Sequence, residues 1–144
     1  MTKIQKLLVK KIKENGPMDM GSYMELCLTH PKYGYYKTRD PLGEQGDFIT
    51  SPEISQIFGE LVGAFFADLW IKAGQPDKVY LLECGPGRGT LLQDFLRGTK
   101  HVPGFHDALD IILWETNPVL IKKQKNLLED YPVRWVENLA DMGL

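Results

Sequence analysis

A chain of 144 residues is the size of one domain and long enough to bury a hydrophobic core. Its 19 acidic and 17 basic residues nearly cancel, so no global field draws in nucleic acid or an anionic membrane. Cys27 and Cys84 make no disulfide framework, and His30, His101 and His106 have no cysteine or histidine partners at metal-ligand spacing.

The first helix is predicted over residues 3–14, with Ile4, Leu7, Leu8 and Ile12 on one face and Lys6, Lys10 and Lys13 off it. The lysines read as a solvated helix face. Asn15-Gly16-Pro17 stops the helix, because glycine suits a left-handed cap and proline cannot continue the turn. Leu7-Leu8-Val9 is too short for a signal-peptide core or a membrane span, so the expected compartment is the cytoplasm. Asp19 is the expected N-cap of a second helix running to His30, where Pro31 ends it. Met20, Tyr23, Met24, Cys27 and Leu28 keep helical spacing and are expected in the core.

Between residues 32 and 51 aromatics alternate with turn residues, as in Tyr33-Gly34-Tyr35-Tyr36, Asp40-Pro41-Leu42-Gly43 and Gly46-Asp47-Phe48-Ile49. A loop of this length is either an arm packed on the domain or a lid over a site. A long helix is predicted next, up to about Ala73. It opens either with Ser51 as N-cap and Pro52 in the first turn, or with Thr50 and Glu53 as a capping box. Ile54, Ile57, Phe58, Leu61, Val62, Phe65, Phe66, Leu69 and Trp70 form an unbroken apolar stripe, expected at the centre of the core. Gly59 and Gly63 on this helix mark close approach, by a ligand or by a packed helix.

After the linker Gly74-Gln75-Pro76-Asp77, the apolar run Val79-Tyr80-Leu81-Leu82 leads into Glu83-Cys84-Gly85-Pro86-Gly87-Arg88-Gly89 and a helix from Thr90. Strand, acid, glycine turn and helix in that order mark a cofactor site, since glycines let backbone approach a ligand and the helix start offers free N–H groups. The dinucleotide fingerprint needs a third glycine where this chain has Thr90. Glu83 at the strand end opposes a pyrophosphate and suits a ligand carrying positive charge. S-adenosylmethionine, with an ammonium and a sulfonium, fits both observations better than a nicotinamide dinucleotide.

Ile111-Ile112-Leu113-Trp114 reads as a second buried parallel strand, ended by Glu115. An acid there accepts hydrogen bonds from ribose hydroxyls; alone it would read as a solvated strand-end charge. Asn117 caps a helix predicted over 118–129, and Val133-Arg134-Trp135-Val136 is a third strand. Glu137 or Asn138, just past it, stands where adenine would be met, or belongs to a plain turn. The organisation expected is an N-terminal helical region over 1–76 and an α/β region over 77–144.

Gly34-Tyr35-Tyr36, the block from Gly46 to Leu61, Gly85-Pro86-Gly87-Arg88-Gly89-Thr90-Leu91 and Trp114-Glu115-Thr116-Asn117-Pro118 together resemble the MidA-like S-adenosylmethionine-dependent methyltransferases. The Gly46–Leu61 block is the most specific of these. The resemblance implies a Rossmann-like class I methyltransferase sheet, here its first part, so that a C-terminal half with further strands is expected beyond this chain. It implies S-adenosylmethionine held by Glu83, Gly85, Pro86, Gly87, Gly89, Glu115 and Asn138. It further implies a protein substrate, on arginine as in the mitochondrial complex I assembly relatives, with a complex I subunit as the expected partner. A eukaryotic member would work in the mitochondrial matrix. Asp47, Glu53 and Glu60 are the acids of the family block and the candidates for orienting a guanidinium. The rival expectation is a non-catalytic assembly module with an incomplete cofactor fold.

Overall fold

The computed structural model describes residues 1–38, 42 and 46–143, and it divides into two compact units, Met1–Pro41 and Leu42–Leu144. The division differs from the one expected at 76/77. The helix that precedes the first strand packs on the sheet unit, and so belongs with it.

The first unit holds α1 (Lys3–Asn15), α2 (Met20–Thr29) and the short α3 (Tyr35–Thr38). Thr2 and Gln5 form a capping box at the start of α1, and Gly16 ends it at φ +84°. Asp19 caps α2 as expected, accepting from the Ser22 N–H at 3.0 Å. Met20, Tyr23 and Met24 are exposed, not in the core as their spacing suggested. Gly34 closes the turn after α2, its N–H donating to the His30 carbonyl at 2.7 Å. A Cβ at Gly34 would sit 2.5 Å from the His30 nitrogen, which is why a side chain has no room there.

The second unit contains α4 (Ser51–Ile54), α5 (Gln56–Lys72), β1 (Val79–Cys84), α6 (Thr90–Thr99), α7 (Phe105–Ala108), β2 (Leu109–Trp114), α8 (Pro118–Leu127), β3 (Val133–Val136) and a 3-10 turn at Leu139–Met142. The three strands are parallel in the order β1-β2-β3, with Glu83 opposite Leu113 and Cys84 opposite Trp114. Helical crossovers between parallel strands make this the Rossmann-like α/β arrangement read from the sequence. β2 lies between the other two, and Ile111, Ile112 and Leu113 are buried in succession. β1 alternates, leaving Tyr80 and Leu82 exposed. Of the Asp40-Pro41-Leu42-Gly43 turn, only Leu42 is among the described residues.

The helix predicted to run unbroken from residue 50 or 51 is two helices. Ser55 between them is extended (φ −152°, ψ 128°), and its hydroxyl accepts from the Ile57 N–H to cap α5. Neither predicted start is realised: Thr50 occupies the cap position without a side-chain bond, and Glu53 is engaged elsewhere. Most of the stripe on α5 is also turned outward, with Ile57 58%, Leu61 65% and Phe65 59% exposed. The buried side consists of Gly59, Gly63, Ala67 and Trp70. A Cβ at Gly59 would lie 2.5 Å from the Asp94 Cβ, and one at Gly63 would lie 2.7 Å from the Phe95 carbonyl oxygen. On α6, a Cβ at Gly98 would come within 3.0 Å of the Glu60 Cα. The glycines therefore serve helix packing: α5 and α6 approach so closely that backbone meets backbone. Trp70, Phe95, Phe105, Leu96 and Leu113 fill the space between these helices and the sheet. Arg97 ties the two helices, donating from Nε and Nη2 to Glu60 at 3.1 Å and pairing with Asp94 at 2.7 Å.

Candidate active site

The glycine turn leaves β1 through three left-handed residues, Gly85 (φ +65°), Gly87 (φ +59°) and Gly89 (φ +88°). Any other residue would be strained at these angles, so the alternation of glycines is a requirement of the backbone path. The Gly85 N–H donates to the Trp114 carbonyl at 2.9 Å, which fastens the turn to the end of β2. Gly89 stands at the head of α6 with its N–H on the Pro86 carbonyl at 2.8 Å.

Above the turn lies a cleft of about 350 Å³, walled by Glu83, Cys84, Gly85, Pro86, Gly87, Arg88, Thr90 and Leu91 on the sheet side. Leu42, Thr50, Pro52 and Glu53 form the other wall. The space beside Gly85 is open, since a Cβ there would meet no atom within 4 Å. Over Gly87 the Leu42 side chain closes in, 2.6 Å from where a Cβ would stand. Glu83 lines this cleft and also the apolar space against Val62, Phe66 and Phe95, and burial raises its carboxyl to about 7.

Four of the predicted cofactor residues, Glu83, Gly85, Pro86 and Gly87, line this cleft together. Gly89 faces the other way, packed near Gln124, Leu127 and Leu128. Glu115 follows β2 beside the glycine turn and is 8% exposed. Its Oε1 accepts the N–H groups of Thr116 and Asn117 at 2.7 and 2.8 Å, so the carboxylate is turned toward the start of α8. Asn138 is exposed beyond β3, bonded to Asp141 at 3.3 Å. Neither Glu115 nor Asn138 is part of the cleft wall.

The three acids of the family block are dispersed. Asp47 is exposed. Glu53 reaches the glycine loop, where Oε1 accepts the Thr90 hydroxyl at 2.6 Å and Oε2 accepts Arg88 Nη1 at 3.3 Å. Glu60 lies on the α5–α6 contact with its Oε1 held by Arg97.

One functional residue escaped the sequence reading. Gln124 on α8 is fully buried and donates to the Gly87 carbonyl at 2.7 Å and to Glu115 Oε2 at 3.4 Å, while its Oε1 accepts from Trp135 Nε1 at 2.9 Å. It joins the glycine turn, the acid after β2 and the third strand in one buried network. Set among Lys122, Lys123 and Lys125 it reads as a solvated residue. The signal was its spacing, one turn from Leu120 and one from Leu128, both buried.

Residues 61–143 match a family described as "Putative S-adenosyl-L-methionine-dependent methyltransferase". The chain belongs to this methyltransferase family. Among curated relatives, "Protein arginine methyltransferase NDUFAF7, mitochondrial" from Xenopus laevis is 50% identical over 115 residues, covering 78% of this chain and 26% of the relative. The protein of the same name from Bos taurus is 55% identical over 113 residues, with 78% and 26% covered. The chain thus spans about a quarter of the length of these relatives. A solved structure from Burkholderia thailandensis, bound to S-adenosyl-homocysteine, superposes with a TM-score of 0.75 at 24% identity, over 94% of this chain and 37% of that one. That likeness shows the shared fold. S-adenosylmethionine is the cofactor of the family.

Proposed function

We propose that this chain forms the cofactor-binding part of a protein methyltransferase, with S-adenosylmethionine seated in the glycine cleft and an arginine side chain as methyl acceptor. The observation that carries the reading is Glu83: an acid at the strand end, raised by burial, beside open space over Gly85. Such a group has most to gain from a ligand that brings its own positive charge. Bound there, the cofactor supplies an activated methyl on sulfonium. Glu83, Gly85, Pro86 and Gly87 hold its amino-acid end, and Gly89 sets the path of the turn. Glu115, beside the turn, is the acid read for the ribose hydroxyls, and Asn138 lies toward the base. What the chain contributes to methyl transfer is placement and a matched electrostatic surface. Asp47, Glu53 and Glu60 are the acids of the family block read for an incoming guanidinium; Glu53 and Glu60 pair with Arg88 and Arg97 of the chain itself.

The relatives named as mitochondrial arginine methyltransferases support a protein substrate and, for a eukaryotic source, a mitochondrial site of action. A respiratory complex I subunit is the substrate that the family resemblance favours; a bacterial member would act in the cytoplasm. The rival reading, an assembly module without catalysis, draws on the exposed apolar side of α5. The test is transfer of labelled methyl from S-adenosylmethionine to protein arginine by the native-length protein. Gly85→Val puts a branched side chain into a left-handed position inside the cleft, so transfer is expected to fall by at least about tenfold. Undiminished transfer by that variant would remove the glycine cleft from the reading.

A further inference from the structure

The near balance of charge over the whole chain hides a separation. Residues 1–41 carry eight basic and four acidic side chains, while residues 42–144 carry nine and fifteen. Much of the excess in the first unit sits on α1, whose 13 residues hold five lysines, one glutamate and no arginine. Lys3, Lys6, Lys10 and Lys13 recur at i, i+3, i+7 and i+10 and so share one face, a row about 15 Å long at ~1.5 Å per residue. All four are exposed, on the side of the helix away from buried Leu8.

Nothing inside the helix calls for this row. Lysines at these spacings repel one another, and Lys3 and Lys6 fall in the first turn, the end of a helix that favours acids. The one acid of α1, Glu14, meets Lys10 at 3.8 Å with both side chains more than half exposed, a pair that solvent screens. The Lys3 ammonium lies 5.8 Å from the Tyr33 ring centroid, a contact that leaves its charge uncancelled. Among the described residues, Lys6 and Lys13 meet no acid. Val9 and Ile12, 41% and 44% exposed, flank the row on one side.

The chemistry of the row selects its counterpart. Arginine recognises a particular carboxylate or phosphate through its planar fork, whereas a lysine is a mobile point charge. A row built of lysine alone, with aliphatic side chains at its edge, suits many anions spread over a surface that has an apolar layer beneath them. No described helix is long and apolar enough to cross a membrane, so the contact is with the surface.

We propose that the lysine row of α1 docks this protein on the surface of an anionic phospholipid bilayer. The ammonium groups meet the headgroup charge, and Val9 and Ile12 rest against the acyl boundary. The proposal stands apart from the cofactor reading above.

The test is co-sedimentation of the native-length protein with phosphatidylcholine vesicles, with and without about a third of phosphatidylserine. Binding by the wild type is expected only with the anionic lipid, and is expected to fade as salt is raised from about 0.05 to 0.5 M. A lysine near such a surface is worth about fivefold in affinity, so Lys6→Gln should bind about fivefold more weakly. Lys3→Gln, Lys6→Gln, Lys10→Gln and Lys13→Gln combined should bind at least about a hundredfold more weakly. The melting temperature of that combined variant should be no lower than that of the wild type, because like-charge pairs are relieved; this separates lost docking from lost folding. Equal binding to neutral vesicles, no binding to either, or undiminished binding by the combined variant would overturn the proposal. Retention on immobilised polyglutamate without vesicle binding would overturn it too, and would assign the row to an acidic polypeptide.

Discussion

Changing Glu83 to glutamine keeps the size of the side chain and removes its titration, which makes the cleft's electrostatics measurable. The carboxyl is raised from an ordinary 4.5 to about 7 by burial. That interval is worth about 3 kcal/mol of preference for the neutral acid, at ~1.36 kcal/mol per pH unit. In the protein without ligand, the folded state holds this proton more tightly than the unfolded chain does. The contribution to stability is therefore fully present below 4.5, is lost as the pH rises, and is gone above about 7. Glu83→Gln is expected to be more stable than the wild type above about pH 7, and the difference should vanish in acid. Cofactor binding runs the other way. If the ligand cation needs the carboxylate, affinity falls about tenfold for each pH unit below about 7, so that it is roughly tenfold weaker at about pH 6 than at about pH 8. Calorimetric titration of wild type and Glu83→Gln in parallel isolates this term, because the variant retains any titration of the ligand itself. Superimposable pH profiles for the two proteins would refute the argument.

Two further substitutions probe the scaffold beneath the cleft. Gly63→Ala gains about 1 kcal/mol of helix propensity but drives a methyl to 2.7 Å from the Phe95 carbonyl. Overpacking of about 1–3 kcal/mol outweighs that gain, so urea denaturation should show a net loss. Gln124→Met is close in volume but strands the Gly87 carbonyl and the Trp135 indole N–H, for a loss of about 2–4 kcal/mol in thermal or urea melts. Cofactor affinity should fall with it; unchanged affinity would show that the turn keeps its shape without the network.

The sheet and its glycine turn were legible because short apolar runs ended at an acid, a glycine or a helix cap, each with one local meaning. Asp19, Gly16 and Asn117 do in the structure what their chemistry predicts. The long helix was misread for a definite reason. The residues of α5 are apolar nearly all round, so periodicity could not choose a buried side, and the choice fell to the glycines that let α6 come close. Ser55 was overlooked because serine interrupts no hydrophobic pattern. Glu53 was weighed as a helix-start carboxylate, but its partners Arg88 and Thr90 lie 35 and 37 residues away, a separation no local rule reaches. Gln124 shows the same limit from the other side: a buried polar residue is recognisable only once its acceptors are known.

The extended residue at Ser55 has a consequence for how substitutions combine. It ends one hydrogen-bonded rod and begins another, so α4, which carries Glu53, is not rigidly continuous with α5, which carries Gly59 and Gly63. Substitutions within the α5–α6 contact then act first on stability, and those in α4 first on the glycine turn that Glu53 holds. Variants drawn one from each helix, with no shared partner, should combine additively to within about 0.5 kcal/mol. Evolution could thus retune the mouth of the cleft without renegotiating the helix packing that supports it.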